Sequence, residues 1–397
     1  MNFAFAIAVG LGIAAGMWHQ PFVLGTAEMV SQVFINLLKL ISLPMISLSI
    51  LSTASGVESV AEIKRLGRTT VKYTLLTTVI AAITALVLFL VIQPATPGML
   101  GEAVSLGAQK GYLDYLLASV PSNALQPFLD NHVIGVLFIA LLFSVAIVTL
   151  PIEQKRLLHN LFVALFATVM KVTGWIVAIM PIGIWAFVTL FVRDVHGGLE
   201  VQALALYLLC VVAANVVQGA VVLPLLLRSK GIAPLKAFKG MLPALSVAFF
   251  TKSSNAALPT AVQCSVENNA VSEKVAGFTF PLCTTINMNG CAAFILTTVL
   301  FVATSNGISF TPFDLGMWVV IATIAAVGNA GVPMGCYFLS GALLASMNVP
   351  LNILGAILPF YTLIDMLETA LNVWSDSCVA AAVDHDLAPA SSLAPVT

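Results

Sequence analysis

The chain has 397 residues, of which 60% are hydrophobic and only 8% are charged. Because about a quarter of the residues in a soluble domain are charged, this composition excludes an ordinary soluble protein. The net charge of −1 gives no indication of a nucleic-acid partner. Several apolar runs reach the roughly 20 residues that a helix needs to cross a bilayer. We therefore predict an all-α polytopic membrane protein.

Eight apolar segments are long enough to be transmembrane helices. The first has no basic residues ahead of it, so we interpret it as a retained helix rather than a cleaved signal peptide. In chain order the predicted spans are 3–24, 29–55, 69–93, 131–150, 158–192, 203–228, 275–304 and 350–382.

Two further apolar segments, 241–265 and 315–347, are interrupted by the tips TKSSN and GNAGVPMGC. The arms of the first have about ten residues, too few to cross about 30 Å of hydrocarbon. Non-helical backbone at membrane depth is tolerated only inside protein or beside a watery cavity, so we predict two re-entrant helical hairpins. Each is followed by a full span, and such a repeated unit is typical of inverted repeats with a binding site at their interface.

The basic residues between the spans predict the orientation of the chain. With a cytoplasmic N-terminus, the outer side carries only Lys110 and Arg193, as the positive-inside rule expects. Both termini are then cytoplasmic, and the tail 384–397 is predicted to be polar and disordered. The basic residues on the inner side are Lys64, Arg65, Arg68, Lys155, Arg156, Arg228, Lys230, Lys236, Lys239 and Lys274.

The cysteines are scattered along the chain without the spacing of a metal site or a redox motif. We expect small, reduced core residues rather than disulfides. They are Cys210, Cys264, Cys283, Cys291, Cys336 and Cys378.

A polar stripe runs along the last span, which reads IDMLETALNVWSDSCVAAAV over 364–383. A charged group at membrane depth costs several kcal/mol and usually marks an ion or substrate route. The alternative is a stripe that only forms hydrogen bonds with neighbouring helices. On a 3.6-residue period the following residues share one face: Asp365, Glu368, Thr369, Asn372 and Asp376.

Three shorter motifs offer groups to a ligand. In TTINMNG, residues 284–290, we expect the helix to unwind and to free carbonyls for a hard cation such as Na⁺; the alternative is a packed kink. The hydroxyls and free N–H groups of TKSSNAALP suit a carboxylate. The glycines of GNAGVP allow a close backbone approach and a hinge.

In this order, TKSSNAALP, TTINMNG, GNAGVP and DMLETALNVWSD resemble the dicarboxylate/amino acid:cation symporter family. NLLKLISLP and VPSNALQPFLDNHVIGVLFIALLFSVAI are also similar to that family, so the resemblance covers nearly the whole chain. It implies a homotrimeric elevator-type transporter of the bacterial inner membrane, in contact with lipid, without enzymatic activity and with Na⁺ as coupling ion rather than any cofactor. Scaffold helices would lie within 1–68 and 94–192, and the mobile transport domain would comprise 69–93 and 203–383.

The resemblance also implies a substrate site. Asp365 would hold the substrate ammonium, while Asn372, Thr369 and the Ser254 backbone would hold the carboxylate and nearby polar groups. The full implied set is Ser253, Ser254, Cys291, Val332, Cys336, Asp365, Glu368, Thr369 and Asn372.

Two sodium sites follow from the same resemblance. The residues of the first would be Asp376 with the carbonyls of Cys283, Asn287 and Asn372. Those of the second would be Thr285 and Met288 with the carbonyls of Ala326, Val327 and Asn329.

The substrate site departs from the acidic-substrate members of that family. Those members have Arg where this chain has Glu368, because the side-chain carboxylate of an acidic substrate needs a cationic, bidentate partner. They also have Asp where this chain has Tyr361. DMLETALN is instead similar to the sodium/serine–threonine symporter branch. We expect an ionised Glu368 to accept a charge-assisted hydrogen bond from a substrate hydroxyl. The alternative role of Glu368 is a structural ion pair with Lys252, which stands where the family usually has Arg.

The sodium pattern departs as well. Asn289 stands where the family usually has Asp, which completes an additional site with hydroxyls such as those of Thr77 and Thr78. Without that carboxylate, a buried ion has only neutral dipoles to replace its hydration shell, so we predict fewer coupled ions. Cys283 and Met334 replace glycines and add bulk near the sodium sites and the gate.

The leading hypothesis is a sodium-coupled symporter that imports small zwitterionic amino acids, serine and threonine first. The alternatives are a dicarboxylate or acidic amino-acid symporter and a proton-coupled carrier that uses Glu368. An intramembrane hydrolase would need a nucleophile paired with a base, whereas all five histidines fall in loops or at span ends. A channel would lack two occluding hairpins.

Overall fold

The computed structural model of the protein describes residues 2–55, 62–95, 121–129, 133–196, 201–329 and 334–387. Every regular element in these ranges is helical, which confirms the predicted all-α class. The helices are α1 (Asn2–Trp18), α2 (Pro21–Ser55), α3 (Glu62–Ile92), α4 (Gln126–Leu129), α5 (Val133–Val148), α6 (Ile152–Ala178), α7 (Met180–His196), α8 (Val201–Val217), α9 (Leu223–Ser229), α10 (Pro234–Thr251), α11 (Ser254–Asn269), α12 (Glu273–Ile286), α13 (Asn289–Ser305), α14 (Pro312–Gly328), α15 (Gly335–Ser346) and α16 (Asn352–Leu387). A π-helix, Gln218–Val222, joins α8 to α9.

Five continuous helical stretches of the described residues have the length and composition of membrane-spanning helices. They contain 25 to 36 residues, against the roughly 20 that the hydrocarbon core requires. The prediction of a multi-pass membrane protein is therefore confirmed. The stretches are Leu66–Ile92, Ile152–Ile176, Gln202–Ser229, Glu273–Ser305 and Asn352–Leu387.

The first predicted span, 3–24, ends earlier than expected. α1 stops at Trp18, His19 has a positive φ of 50°, and Pro21 begins α2. Proline suits a helix start because its φ is already helical and its missing N–H has no intrahelical partner there. Residues 21–24 therefore belong to the second helix.

The predicted fifth span, 158–192, is wrong as a single helix. α6 ends at Ala178 and α7 begins at Met180, with Ile179 in a turn between them. Pro181 has no N–H to donate, and its ring clashes with the carbonyl four residues earlier. The helix consequently breaks just before this proline.

Both predicted hairpins contain a pair of helices, and the two pairs differ in their packing. In the first, α10 and α11 pack along one another, and the pair begins before and ends after the predicted segment 241–265. In the second, α14 and α15 agree with 315–347, and each packs on α13. Residues 330–333 of the second tip lie outside the described residues.

The last helix continues beyond the predicted end of its span. α16 reaches Leu387, so the prediction of a disordered tail is wrong for residues 384–387. Asp384 accepts a hydrogen bond from the backbone N–H of Ser272 at 3.2 Å, and Asp386 pairs with Lys230 at 2.6 Å. These contacts hold the final turn against its neighbours, and residues 388–397 lie outside the described residues.

The helices pack as two groups that share contacts. α13 is buried along nearly its whole length and packs against α3, α8, α14, α15 and α16. In the other group, α5, α6 and α7 pack around α2, and α1 lies along α7. A Cβ atom at Gly16 would lie 2.6 Å from the Cβ of Val192. Only glycine permits this close approach of helices.

Candidate functional site

The polar stripe of α16 lies inside the protein. Asp365, Glu368 and Asn372 are 7%, 1% and 4% exposed, and Asp376 is fully buried. The other faces of α16 are apolar and pack on α10, α12 and α13, which turns the stripe inward. Because an isolated buried carboxylate loses its hydration at high cost, each of these acidic groups needs a partner.

The helix break predicted in TTINMNG forms beside this stripe. α12 ends at Ile286, and Asn287 and Met288 have non-helical backbone angles before α13 begins. The N–H of Gly290 donates to Oδ1 of Asn372 at 2.9 Å instead of to the carbonyl four residues earlier. The predicted unwinding is thus confirmed, and α16 holds the freed backbone in place.

The first hairpin brings a helix N-terminus to the same region. Lys252 ends α10 with a positive φ of 54°, and α11 begins at Ser254. The Ser253 hydroxyl accepts a hydrogen bond from the N–H of Ala256 at 3.2 Å. The other N–H groups of this first turn have no intrahelical partner, and a helix N-terminus of this kind attracts a carboxylate.

These elements enclose one small cavity of about 20 Å³. That volume holds only one or two water-sized spheres, so the polar groups are closely surrounded. Its lining residues are Lys252, Ser254, Met288, Cys291, Asn329, Cys336, Asp365, Glu368, Thr369 and Asn372.

The two carboxylates of the cavity have different surroundings. The hydroxyl of Tyr361 lies 3.5 Å from Oε2 of Glu368, whereas Oε1 has no hydrogen-bond partner among the described residues. The charge of Lys252 acts on Asp365, and within the described residues no ion pair joins Lys252 to Glu368. A buried acceptor without a partner has the capacity to bind a donor from a ligand.

Most of the predicted substrate residues meet in this cavity. Ser253 does not line it, because its hydroxyl caps α11 instead. Val332 lies outside the described residues. Those that do line the cavity are Ser254, Cys291, Cys336, Asp365, Glu368, Thr369 and Asn372.

Asn287, one residue of the first predicted sodium site, contacts Asp376 directly. Oδ1 of Asp376 accepts a hydrogen bond from Nδ2 of Asn287 at 2.8 Å, while Oδ2 has no partner among the described residues. The carbonyl of Cys283 accepts the N–H of Asn287 at 2.8 Å. A carboxylate oxygen beside an unwound helix suits a hard cation, which prefers oxygen ligands.

The residues of the second predicted sodium site are less clearly assembled. The hydroxyl of Thr285 donates inside its own helix to the carbonyl of Leu282 at 2.7 Å, and the Ala326 carbonyl accepts the N–H of Asn329 at 3.1 Å. Both oxygens keep a lone pair for an ion, because the hydroxyl is the donor in its bond and a carbonyl has two lone pairs. Met288 and Asn329 line the substrate cavity, and Val327 lies on α14 near Asn329 in the sequence.

A network of amides occupies the place around Asn289. Nδ2 of Asn289 donates to Oδ1 of Asn287 at 2.9 Å and to the Thr77 hydroxyl at 3.3 Å. Oδ1 of Asn289 accepts from Nε2 of Gln218 at 2.7 Å. The Thr78 hydroxyl donates within its own helix to the carbonyl of Thr74 at 2.8 Å. The side-chain oxygens of Thr77, Asn287 and Asn289 therefore already accept hydrogen bonds, whereas the Thr78 hydroxyl keeps its lone pairs.

Gln218 is a buried residue of this network that the sequence analysis did not single out. Its side chain also donates to the carbonyl of Thr77 at 3.1 Å. Because Thr77 lies on α3, this bond joins α3 to the network. Gln218 opens the π-helix, and such wide turns often occur at functional sites. A polar residue in the middle of the apolar run LCVVAANVVQGAVV was the available signal.

The structure brings two of the six cysteines into contact. The sulfur atoms of Cys291 and Cys336 lie against each other, with their Cα atoms 5.4 Å apart. The fold brings the first turns of α13 and α15 together, although 45 residues separate the two cysteines, and no spacing motif reveals such a pairing. The remaining four cysteines are free and buried.

A larger cavity lies on the opposite face of α16. It has a volume of about 660 Å³, and its lining is dominated by apolar side chains such as Phe238, Leu371 and Trp374. A zwitterion there would leave its charges unpaired, at high cost. Size alone therefore does not make this cavity the substrate site.

Comparison with known proteins gives one family and several relatives. Residues 1–386 match the family described as the Sodium:dicarboxylate symporter family. The chain is 27% identical to the neutral amino acid transporter B(0) of Oryctolagus cuniculus, over 96% of this chain and 78% of that protein. It is 26% identical to the neutral amino acid transporter A of Homo sapiens, over 89% and 75%. It is 28% identical to glt-3 of Caenorhabditis elegans, described as a candidate sodium-dependent excitatory amino acid transporter, over 95% and 80%.

Proposed function

The chain belongs to the sodium:dicarboxylate symporter family, and from this premise we propose that it imports small neutral amino acids, serine and threonine first, together with sodium. It is a transporter and not an enzyme. The observation that carries the choice of substrate is the cavity, whose described lining residues include Asp365 and Glu368 but no arginine.

Recognition of a zwitterion needs one anion for its ammonium and donors for its carboxylate. Asp365 is the anion in this proposal, and the N-terminus of α11 at Ser254 supplies N–H donors. Oδ1 of Asn372 is held by the N–H of Gly290, whereas its Nδ2 contacts only the sulfur atoms of Met288 and Cys291 at 3.5 and 3.6 Å. Sulfur is a weak acceptor, so this amide is available to a substrate carboxylate.

Glu368 distinguishes between neutral and acidic substrates in this proposal. Its free Oε1 accepts a hydrogen bond from a substrate hydroxyl, which is charge-assisted and stronger than a neutral one. A second substrate carboxylate at the same position would be repelled, which lowers the affinity for competitors. The absence of an arginine among the described lining residues leaves such a carboxylate without a bidentate partner.

Sodium would bind behind the substrate cavity. Asp376, with its unpartnered Oδ2, and the unwound backbone at Asn287 are the proposed first site. Asn372 belongs to both the sodium set and the substrate set, and Asn287 bonds directly to Asp376. Ion and substrate thus stabilise the same unwound segment, which is a physical basis for coupling.

We extend the proposal to assembly and movement. In a homotrimer, α1, α2 and the helices α5–α7 around α2 would form a fixed scaffold. The transport domain would comprise α3 and α8–α16 and would move. Within it, α10–α11 and α14–α15 would be the re-entrant hairpins. The separate packing of the two groups supports this division. The charge bias of the loops supports a cytoplasmic location for both termini, and we place the protein in a bacterial inner membrane as part of the same proposal.

The test is uptake of labelled amino acids into proteoliposomes under an imposed sodium gradient. Serine and threonine should accumulate and compete with each other, whereas aspartate, glutamate and succinate should not compete. Strong competition by aspartate at neutral pH would contradict the proposal and favour the acidic-substrate alternative. Accumulation driven by a proton gradient in the absence of sodium would favour the proton-coupled alternative.

A further inference from the structure

The larger cavity is an apolar groove between α10, α16 and the segment that runs from α8 through the π-helix to α9. Trp374 of α16 contacts both other walls: its ring packs edge-on against Phe238 with 5.2 Å between the centroids, and its N–H donates to the carbonyl of Gly219 at 3.0 Å. Other lining side chains remain exposed, such as Leu235 at 66% and Phe250 at 74%. The walls are thus packed together while the groove between them stays open.

The groove has the dimensions of a lipid chain. Its volume is about 660 Å³, and its lining follows α10 from Pro234 to Phe250. At 1.5 Å per residue this path is about 24 Å long. One leaflet of the hydrocarbon core is about 15 Å thick, half of the total of about 30 Å. The groove is therefore long enough for an acyl chain of one leaflet.

Basic side chains lie at the end of the groove where α9 and α10 meet. On α10, Lys239 shares a helix face with the lining residues Leu242 and Ser246, one and two turns further on. On α9, Arg228 follows the lining residue Pro224 by one turn and so lies on the same face. The apolar groove consequently ends between two cations.

These two cations are available to a ligand. Arg228 and Lys239 are exposed, and neither forms an ion pair or a side-chain hydrogen bond with any residue that the structure describes. Their neighbour Lys230 is instead paired with Asp386 at 2.6 Å. An apolar face by itself indicates only contact with bulk lipid, but a concave apolar site with a few charged groups at one end is typical of a specific ligand. Basic pockets between membrane helices suit anionic head groups.

We propose that this groove binds one anionic phospholipid, with an acyl chain between α10 and α16 and the phosphate at Arg228 and Lys239. In the orientation proposed above, the basic end faces the cytoplasm, so the lipid comes from the inner leaflet. Its chain packs against Leu367 and Leu371, on the face of α16 opposite the polar stripe. The inference is independent of the identity of the transported substrate.

The test is native mass spectrometry of the full-length protein in detergent, after incubation with phosphatidylglycerol or with phosphatidylcholine of the same acyl chains. One phosphatidylglycerol should bind per chain, with half-saturation at a concentration about tenfold or more lower than for phosphatidylcholine, because each basic residue adds to the attraction of an anionic lipid. Glycerol phosphate, which has the anion without the chains, should not displace the lipid.

Matched variants separate the head-group contacts from the groove. Arg228→Gln combined with Lys239→Gln should remove the preference for phosphatidylglycerol, whereas Lys171→Gln, at an exposed position of α6, should keep it. Ala220→Trp places a large ring in the groove lining and should abolish binding of the lipid. Val212→Trp, at an exposed position of α8 outside the described lining, should bind it like the wild type.

Three results would overturn the inference. The first is equal binding of the two phospholipids by the wild type. The second is phosphatidylglycerol binding that neither the double charge variant nor Ala220→Trp changes. The third is a loss of oligomeric mass in Ala220→Trp with the same number of lipids per chain, which would show that a second copy of the chain covers the groove. Because the assay measures no transport, an error in the proposed substrate would leave these outcomes unchanged.

Discussion

At the scale of single residues, the proposed choice of substrate depends on Glu368. It is 1% exposed, only one of its oxygens has a neighbouring donor, and Lys252 does not pair with it in the described part of the chain. A buried carboxylate in this situation gains more from a hydroxyl than a neutral group does, because hydrogen bonds to charged groups are stronger.

We predict that Glu368→Gln weakens serine more than alanine. The neutral amide loses the charge-assisted bond to the hydroxyl, so the difference between the two amino acids should shrink by about 1–3 kcal/mol. Competition assays in proteoliposomes measure it, with the exposed Glu267→Gln as control. Equal losses for serine and alanine would point to a structural role of Glu368.

A second prediction concerns Gln218. Gln218→Leu keeps the volume but leaves Oδ1 of Asn289 without its 2.7 Å donor and removes the 3.1 Å bond to the Thr77 carbonyl. Unsatisfied buried acceptors cost about 1–3 kcal/mol each, so the melting temperature in detergent should fall clearly. Gln32→Leu, at an exposed position, should have little effect, and a fall of the same size there would contradict the argument.

At the scale of helices, the site depends on how closely the unwound segment approaches α16. A Cβ atom at Gly290 would lie 2.9 Å from the Cα of Glu368 and 3.0 Å from Oδ1 of Asn215. The first of these atoms is backbone and cannot move aside by rotation of a side chain. The glycine therefore sets the distance between α13 and α16, and with it the position of Glu368.

We predict that Gly290→Ala lowers substrate affinity and stability together. The added methyl group must push the helices apart, and such overpacking typically costs about 1–3 kcal/mol. Gly277→Ala is the matched control on α12, because a Cβ atom there meets nothing within 4 Å. Thermal unfolding and serine uptake measure both effects, and an unchanged Gly290→Ala protein would show that the two helices adjust freely.

At the scale of the whole molecule, the charges moved with each substrate decide the driving force. Each net charge moved inward gains about 2.3 kcal/mol per 100 mV. Asn289 brings no formal charge, and its amide is already bonded to Thr77, Asn287 and Gln218. An ion at this position would have to break those bonds and would receive only neutral dipoles in return.

We therefore predict a low sodium stoichiometry of about one or two ions per amino acid. Because a zwitterion has no net charge, each sodium ion adds one charge to the transport step. The reversal potential of serine flux in proteoliposomes at fixed gradients measures this ratio. A ratio of three or more would show that the amide network gives way to an ion.

Parts of the site were predictable because their cause is local. Asp365, Glu368 and Asn372 share one helix face because of the helical period. The break at Asn287 follows from the polar residues and the glycine in an apolar run. Ser253 is one of the predicted substrate residues, but its hydroxyl caps α11. The residue that caps a helix and the residue that faces a ligand are neighbours in the chain, and the sequence does not show which is which. Gln218 was missed because a π-turn moves a side chain away from its place in the 3.6-residue period.

The amino-acid sequence by itself determined that this protein is an all-helical membrane protein, because burial in hydrocarbon requires long apolar runs whose backbone is satisfied internally. It also indicated where to look for a site, since charged groups in such runs are costly and usually mark an ion or substrate route. Only the tertiary structure decided which groups meet: that Cys291 lies against Cys336, that amides surround Asn289, and that Oε1 of Glu368 is left without a partner in the described residues. These contacts join segments far apart in the chain, and side-chain packing between helices rather than any local pattern sets their geometry.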